Sequence, residues 1–248
     1  MPQYEYAIIV PAWNEAEFIQ QCISSVQDAM SGVDYAGQLI VVDNNSTDST
    51  AKLAADAGAQ VVFEPVNQIS RARNAGASVA DAAIYVFVDA DSQITAELLN
   101  IAIDAIKKNN MVGGGANIRV DRKVGWSASY AIAHWNWFSR TFKLAAGCFI
   151  YCRVEAFDAI GGFSLKRYAA EELLFSRELR RWGRSRGMEF HIITDPTIET
   201  SARKMDWYTP GQLFRQMLVA ILPGASSSKH LMHIWYDDST RRTDRTRE

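Results

Sequence analysis

Two aspartates, Asp89 and Asp91, stand two residues apart directly after the apolar run 85–88. Carboxylates this close at the end of a strand can turn toward one hard cation. Mg²⁺ and Mn²⁺ prefer such oxygen ligands and usually keep positions for water and substrate phosphates. Taken alone, the pair fits either a divalent-metal site or a capped turn before the helix at Thr95, and a pattern of two aspartates that often occurs by chance does not decide between them.

Two further polar segments follow apolar runs in the same way. Segment 11–15 (Pro-Ala-Trp-Asn-Glu) follows the run 7–10, and segment 43–48 (Asp-Asn-Asn-Ser-Thr-Asp) follows the run 39–42. The carboxyl ends of parallel strands lie at one edge of a sheet, where open α/β sheets bind ligands. We therefore expect these two segments and the aspartate pair to converge on a single site.

The elements that must position these side chains alternate along the first half of the chain. Apolar runs predict strands, and apolar residues at helical spacing predict helices between them. We expect Asn14 to cap the first helix and Gly58 to end the second. The pattern indicates an α/β fold with a mostly parallel central sheet and helices on both faces. The strands are predicted at 7–10, 39–42, 61–63 and 85–88, and the helices at 15–30, 51–57, 70–83 and 95–108.

The second half is less regular. Its pattern predicts strands at 111–115, 145–152 and 191–193, and helices at 125–142, 169–182 and 207–222. No stretch rich in proline, glycine or serine divides the chain, so we predict one domain over residues 1–236, followed by a frayed polar tail at 237–248. Within that domain we distinguish a first half, 1–110, and a second half, 111–236.

Composition excludes several classes of protein. The 248 residues carry 26 Lys+Arg against 28 Asp+Glu, a net charge of −2, and 48% of them are hydrophobic. These values argue against disorder and against a general attraction to nucleic acid. The odd count of cysteines predicts buried free thiols. No leader and no membrane-spanning run is visible, which predicts a cytoplasmic protein, with peripheral contact at the inner face of the membrane left open.

Taken together, these motifs resemble the family 2 glycosyltransferases, which have the GT-A fold, a Rossmann-like nucleotide-diphospho-sugar transferase architecture. The matching segments are 9–15, 42–48, 72–76 (Ala-Arg-Asn-Ala-Gly) and 88–91, with a fifth at 161–163 (Gly-Gly-Phe) and 171–172. Each is weak alone, but the order and spacing hold over roughly residues 6–185. The resemblance implies a UDP- or GDP-sugar donor, a Mn²⁺ or Mg²⁺ cofactor and inversion at the anomeric carbon. It also implies that 1–110 forms the nucleotide-sugar half of the domain and 111–236 the acceptor half.

The resemblance also implies roles for individual residues. Asp43 would accept a hydrogen bond from the nucleobase, and Arg73 would face the nucleotide and its phosphates. Asp91 would hold the metal directly, and Asp89 would touch the ribose or the metal through water. The residues expected to contact the nucleotide-sugar are Pro11, Ala12, Trp13, Asn14, Glu15, Asp43, Asn45, Arg73, Asp89 and Ala90.

Transfer to a hydroxyl also needs a base, which typically supplies about 10²–10⁴ in rate. By position the base is Glu172, and Glu171 is the second candidate. The family more often has aspartate here. Glutamates in the first turn of a helix are also favoured by the helix dipole alone, so a purely structural role is the alternative.

Three other features are open to two interpretations. Aromatic residues of the helix at 125–142 are expected to pack in the core, although they could form an acceptor platform or touch lipid. Arg203 could reach the diphosphate. His191 could complete the metal shell, but a structural histidine at the end of a strand is the expected role.

Two alternatives to a glycosyltransferase remain at this point. A nucleotidyltransferase acting on sugar phosphates would want a glycine-rich basic loop after the first strand, which segment 11–15 lacks. A non-catalytic nucleotide-sugar-binding relative is disfavoured by the intact Asp89, Asp91 and Glu172. The acceptor could be a glycan, a lipid-linked sugar or a small molecule.

Overall fold

A computed structural model describes residues 2–167 and 170–203, which form one eight-stranded sheet and the helices around it. The strands are β1 (Tyr4–Ala12), β2 (Gly37–Asp43), β3 (Gln60–Phe63), β4 (Ala82–Val88), β5 (Ser92–Gln93), β6 (Met111–Val120), β7 (Phe149–Arg153) and β8 (Glu189–Thr200). The helices are α1 (Ile19–Ser31), α2 (Thr50–Asp56), α3 (Ile69–Val79), α4 (Ala96–Lys107), α5 (Trp126–Phe142), α6 (Val154–Ile160) and α7 (Glu171–Arg184).

The strand order across the sheet is β3-β2-β1-β4-β7-β6-β8-β5. The first four strands are mutually parallel, as is the pair of β6 and β8, whereas β7 runs antiparallel to β4 and β6. Short β5 pairs antiparallel with the end of β8. The predicted α/β fold with a mostly parallel sheet is confirmed.

Each face of the sheet carries its own hydrophobic core. In β1, Ile8 and Val10 point into the core formed with α1 and α4, while Ala7 and Ile9 point into the core formed with α3, α6 and α7. Because successive side chains of a strand face opposite ways, an uninterrupted apolar strand such as β1 must be covered on both sides. The predicted helical cover on both faces is confirmed.

The register brings the polar strand ends together at one edge of the sheet, the edge formed by the carboxyl ends of β1, β2 and β4. Ala12 at the end of β1 pairs with Asp43 at the end of β2, and Ile9 pairs with Phe87 of β4. Asp89 and Asp91 follow the end of β4 at Val88 directly, at the same edge. The expected convergence of the three polar segments is confirmed.

Glycines let β6 lie tightly between its neighbours. A Cβ atom at Gly114 would lie 1.9 Å from the carbonyl oxygen of His191 and 2.5 Å from the hydroxyl of Tyr151. Neither atom can move far, since both belong to adjacent strands. The register of β6 against β8 also shifts between Met111 and Gly113. The glycine run thus serves strand packing.

Several predicted element bounds were wrong. Helix α1 begins at Ile19 and not near Glu15, because Asn14 has a left-handed backbone (φ 53°) and its side chain accepts from the Thr47 amide on another loop. The third helix ends at Val79 rather than at residue 83, since the chain is already extended at residue 80. Strand β7 begins at Phe149, after a turn over residues 145–148.

Other predictions about single residues hold. The side chain of Thr95 accepts from the Leu98 amide and caps α4. Gly58 follows the end of α2 with a φ of 84°. The three cysteines, Cys22, Cys148 and Cys152, are buried and free. Burial raises the pKa of each thiol, so none is an activated nucleophile.

Strands from both predicted halves share the one sheet, with β4 beside β7. The boundary at residue 236, the tail at 237–248 and the helix predicted at 207–222 all lie outside the described residues, so the single-domain organisation stays a prediction. Over residues 2–167 and 170–203, no helix is both long enough and apolar enough to cross a membrane.

Candidate active site

The loops after β1 and β2 are bound to each other by hydrogen bonds. The Thr47 amide donates to Asn14 Oδ1 at 2.8 Å, and the Asn14 amide donates to Ser46 Oγ at 3.0 Å. The Glu15 amide donates to Thr50 Oγ1 at 2.8 Å. Because each contact joins residues more than 30 positions apart, the two loops form one wall of the edge and place Glu15 within it.

The remaining predicted nucleotide contacts flank this wall. Asp43 is buried, and its Oδ1 accepts from the Ser46 amide at 3.1 Å, which folds the loop after β2. Asn45 is exposed and has a φ of 64°, and its side-chain Nδ2 donates to Asn67 Oδ1 at 2.9 Å. Pro11 and Ala12 are buried at the end of β1, and Trp13 beyond them is half-buried.

Asn44 stabilises the loop after β2 and was not among the site residues predicted from the sequence. Its side chain is buried, donates to the carbonyls of Glu64 and Val66 at 3.1 and 2.6 Å, and accepts from the Gln68 amide at 2.9 Å. These three bonds hold the loop after β2 against the segment before α3. An asparagine directly after a buried strand is the signal that could have identified it.

Arg73 lies beneath the edge, and its guanidinium binds three separate segments of the chain. Its guanidinium donates to Asp89 Oδ1 at 3.1 Å, to Glu171 Oε1 at 2.8 Å and to the Gly147 carbonyl at 3.0 Å. The side chain is 1% exposed and lies over the Phe163 ring. Burial lowers the pKa of Arg73, but the neighbouring carboxylates raise it more. In this arrangement Arg73 contacts protein carboxylates and presents no exposed surface to phosphates.

Asp91 is paired with a different arginine. Arg203 lies 3.1 Å from Asp91 Oδ2 and binds Glu15 through both terminal nitrogens. The Ser201 amide donates to the Asp91 carbonyl at 3.1 Å, which holds the segment after β8 against the aspartate pair. Burial lowers the pKa of Arg203, but the neighbouring carboxylates, Glu15 first among them, together raise it more. Arg203 therefore reaches the carboxylate that was predicted to hold the metal.

Glu171 and Glu172 begin α7 but have different surroundings. Glu171 is buried and bound to Arg73, whereas Glu172 is partly exposed and lies beside Gly147. Burial, reinforced by the charge of Glu171, raises the pKa of Glu172 to about 8. A carboxyl with such a pKa can exchange a proton near neutral pH. Glu172 therefore combines a partly exposed side chain with a pKa near neutral pH, whereas Glu171 is buried against Arg73.

The edge has an excess of negative charge. Five carboxylates, those of Glu15, Asp89, Asp91, Glu171 and Glu172, accompany the guanidiniums of Arg73 and Arg203. With Glu172 protonated, two negative charges remain unbalanced among these groups. Asp89 is 27% exposed and so retains a face toward a ligand. Hard oxygen donors and a surplus of two charges fit a divalent cation.

The described residues do not form a complete metal site from protein side chains alone. Among residues 2–167 and 170–203, no three His, Cys, Asp or Glu side chains converge as a set of metal ligands. His191 lies nine residues before Thr200, near Lys143 and Glu189, and away from the aspartate pair. Burial lowers the pKa of His191, as does the charge of Lys143. Its position agrees with a structural role.

Residues 7–174 match the model of Glycosyl transferase family 2, which is more than half of the chain. The chain belongs to this family.

One curated relative is an uncharacterized glycosyltransferase of Mycobacterium tuberculosis, 32% identical over 133 residues. That match covers 54% of this chain and 53% of the relative, so the chain spans about half the length of the curated relatives it matches first.

Two solved structures share the fold. Glucosyl-3-phosphoglycerate synthase from M. tuberculosis, in complex with Mn²⁺, UDP and glucosyl-3-phosphoglycerate, aligns with a TM-score of 0.64 and 19% identity over 90% of this chain and 80% of that one. A mannosyltransferase from Pyrobaculum calidifontis, in complex with GDP-Man and Mn²⁺, aligns with a TM-score of 0.64 and 18% identity over 99% and 74%. The predicted GT-A fold is thereby confirmed.

Proposed function

We propose that this chain transfers a sugar, with inversion, from a UDP- or GDP-sugar to a hydroxyl acceptor, with assistance from Mn²⁺ or Mg²⁺. The observation that carries the proposal is the convergence of Asp89, Asp91 and Glu172 on one edge of the sheet, with a net surplus of negative charge. Family membership and two neighbours that bind nucleotides with Mn²⁺ support it.

Asp91 and Asp89 would hold the metal. Mg²⁺ and Mn²⁺ are commonly bound by one or two carboxylates together with substrate phosphates, which agrees with a pair of aspartates and no complete protein cage. When bound, the metal would offset the charge that grows on the departing diphosphate. Arg203 would have to leave Asp91 for the metal to bind there, and its guanidinium could then turn toward the same diphosphate.

Donor recognition would fall to the wall formed by the loops after β1 and β2. Asp43 lies at the end of β2, where its carboxylate would accept from the nucleobase. Trp13, Asn14, Glu15 and Asn45 would provide further donor contacts from the same two loops, while Pro11, Ala12 and Ala90 would contribute backbone at the strand ends. Arg73 would act indirectly, because it is enclosed and orients Asp89 through their 3.1 Å ion pair.

Glu172 would act as the base. It would take the proton of the acceptor hydroxyl while the acceptor oxygen forms a bond to the anomeric carbon. The bond from that carbon to the diphosphate oxygen breaks at the same time, and its electron pair leaves with the nucleoside diphosphate. Attack on the face opposite to the leaving group gives inversion. Glu171 is committed to Arg73 and would hold the start of α7 in place.

The acceptor would be a glycan, a lipid-linked sugar or a small molecule, and it would approach from the side of Glu172. We place the reaction in the cytoplasm, since three buried free thiols suit a reducing compartment. We also propose that the protein contacts the inner face of the membrane peripherally.

A coupled assay with a panel of UDP-, GDP-, CDP- and TDP-sugars, with Mn²⁺, Mg²⁺ or EDTA, tests the function. Metal-dependent release of a nucleoside diphosphate from one donor is the expected result. Exchange of pyrophosphate into a nucleoside triphosphate would indicate a nucleotidyltransferase instead. Nucleotide binding without either reaction, over a full range of acceptors, would indicate a non-catalytic relative.

A further inference from the structure

Helix α5 exposes an unusual amount of aromatic surface. Trp126 is 86% exposed, Tyr130 69% and Trp137 51%, and Phe142 at the end of the helix is also exposed. In the whole 17-residue helix only Ser139 is buried. The expectation of core packing was therefore wrong for these four aromatic residues, whereas Trp135 of the same helix does pack against the core. Large aromatic residues grouped on a surface mark an interaction site.

The three most exposed aromatic residues share one face of the helix. At 3.6 residues per turn, Tyr130 and Trp137 lie within about 40° of Trp126 around the helix axis. The opposite face is held against the protein, because Ser139 is buried there and Trp135 packs against the core. At the side of the helix, Asn136 exchanges two hydrogen bonds with the backbone of Ile118 in β6. The helix is thus held as a rigid ridge with its aromatic side turned outward.

The sequence around the ridge is strongly basic. Between Asp121 and Glu155 there is no acidic residue, although the chain as a whole has a net charge of −2. The cations of this stretch are Arg122, Lys123, Arg140, Lys143 and Arg153. Arg153 points inward to the carbonyls of Ile106 and Met111, but Lys123 and Arg140 are exposed at the two ends of α5. Arg180 of α7 adds a further cation by binding the Phe142 carbonyl.

We propose that α5 docks on an anionic lipid bilayer, with Trp126, Tyr130 and Trp137 inserted at the level of the headgroups. Tryptophan and tyrosine are the residues enriched at that depth. A helix that lies in the interface binds through its apolar face and through cations that meet anionic lipids. A second copy of this chain fits less well, because a symmetric contact through this ridge would bring like charges together.

Docking by this face would bring the candidate active site to the membrane surface. Helix α5 begins five residues after Asp121, whose carboxylate accepts from the Ala202 amide, next to Arg203 and its partner Asp91. Five residues span at most about 17 Å. An acceptor held in the membrane would therefore lie beside the site where the donor is expected to bind.

Vesicle flotation of the full chain tests this inference without any donor or turnover, so its failure is separate from failure of the proposed function. We expect the protein to float with phosphatidylcholine vesicles that contain about one third phosphatidylglycerol, and to be released by high salt. The triple variant W126S/Y130S/W137S should bind at least about tenfold more weakly. The double variant K123E/R140E should lose binding to the anionic vesicles.

The matched control is F63S/V66S, which removes two exposed apolar side chains (61% and 44%) near the edge strand β3. It should float as the native protein does. Circular dichroism checks that each variant is folded, and W126S alone replaces the triple variant if that fails to fold. The inference is overturned if the native chain does not bind anionic vesicles, if the triple variant binds as well as the control, or if the ridge variants instead abolish a dimer seen in light scattering.

Discussion

The edge of the sheet and the α5 ridge depart from ordinary protein surfaces in opposite ways. At the edge, charged groups are enclosed: Arg73 is 1% exposed and is paired with Asp89 and Glu171. On the ridge, apolar groups are exposed, up to 86% for Trp126. Burying a charge and exposing an aromatic ring both carry a free-energy cost. The comparison indicates that the edge is shaped for a polar ligand and the ridge for an apolar environment.

The largest effect is expected at the edge. Asp91→Asn should lower the rate of transfer about a thousandfold, which corresponds to about 4 kcal/mol, because the variant lacks the charge that we propose as a ligand of the metal. The transfer rate at saturating donor measures this. Asp28→Asn, on an exposed turn of α1, is the control and should leave the rate unchanged. Retention of most activity by Asp91→Asn would refute the metal role.

Glu172→Gln should lower kcat about a hundredfold while nucleotide affinity stays nearly constant, since the change removes a proton acceptor and keeps the shape. Nucleotide titration separates the two quantities. If affinity fell as much as kcat, Glu172 would be a structural residue. Glu178→Gln, on the same helix, provides the control.

The pH dependence of activity and of stability also tests the role of Glu172 as the base. Burial raises the pKa of Glu172 to about 8, so the native activity should rise with pH through that region as the carboxyl loses its proton. The folded state also binds this proton more tightly than the unfolded state, so stability should fall over the window from the ordinary glutamate pKa to about 8. Glu172→Gln should lack both changes, as activity profiles and pH-dependent melting curves will show.

Glu171→Gln should act on stability. It breaks one of the buried ion pairs of Arg73, while Asp89 and the Gly147 carbonyl remain as partners, so we expect a loss of about 3 kcal/mol, at the low end for such pairs. For a chain of this size, that is a fall of roughly 6–12 °C in Tm. Glu155→Gln, an exposed glutamate in the first turn of α6, should change Tm little. An unchanged Tm in Glu171→Gln would mean that the pair does not hold the edge together.

The smallest expected effect concerns Arg203. Its ion pair with Asp91 competes with a metal, so Arg203→Ala should bind Mn²⁺ about fivefold more tightly in the absence of nucleotide, which is about 1 kcal/mol. Electron paramagnetic resonance of free Mn²⁺ measures the affinity. Arg177→Ala, an exposed arginine on α7, serves as the control. Weaker Mn²⁺ binding by Arg203→Ala would show that Arg203 supports the metal site instead.

The edge was more predictable from the sequence than the ridge. Strands β1, β2 and β4 are apolar runs buried on both sides, and polar residues follow each of them, so their position at one edge follows from parallel pairing. The pairing of Arg73 with Glu171, 98 residues away, and of Arg203 with Asp91 leaves no local pattern, because each depends on how distant segments pack.

Helix α5 shows a different limit. Its aromatic residues recur at helical spacing, and this pattern is the same whether the face is covered or exposed. Periodicity predicts the helix but not what lies against it. The wrong prediction that Asn14 caps the first helix has a related cause. The side-chain oxygen of Asn14 accepts from the Thr47 amide of another loop, and no local sequence pattern indicates that contact.

The central claim is that Asp91 and its neighbours bind a metal-bridged nucleoside diphosphate at the edge of the sheet. Calorimetric titration of UDP and GDP into the native chain and into Asp91→Asn, with Mn²⁺ or EDTA, tests it most directly. We predict Mn²⁺-dependent binding of one of the two nucleotides to the native chain and its loss in Asp91→Asn. Equal binding by both proteins, unaffected by EDTA, would contradict the claim.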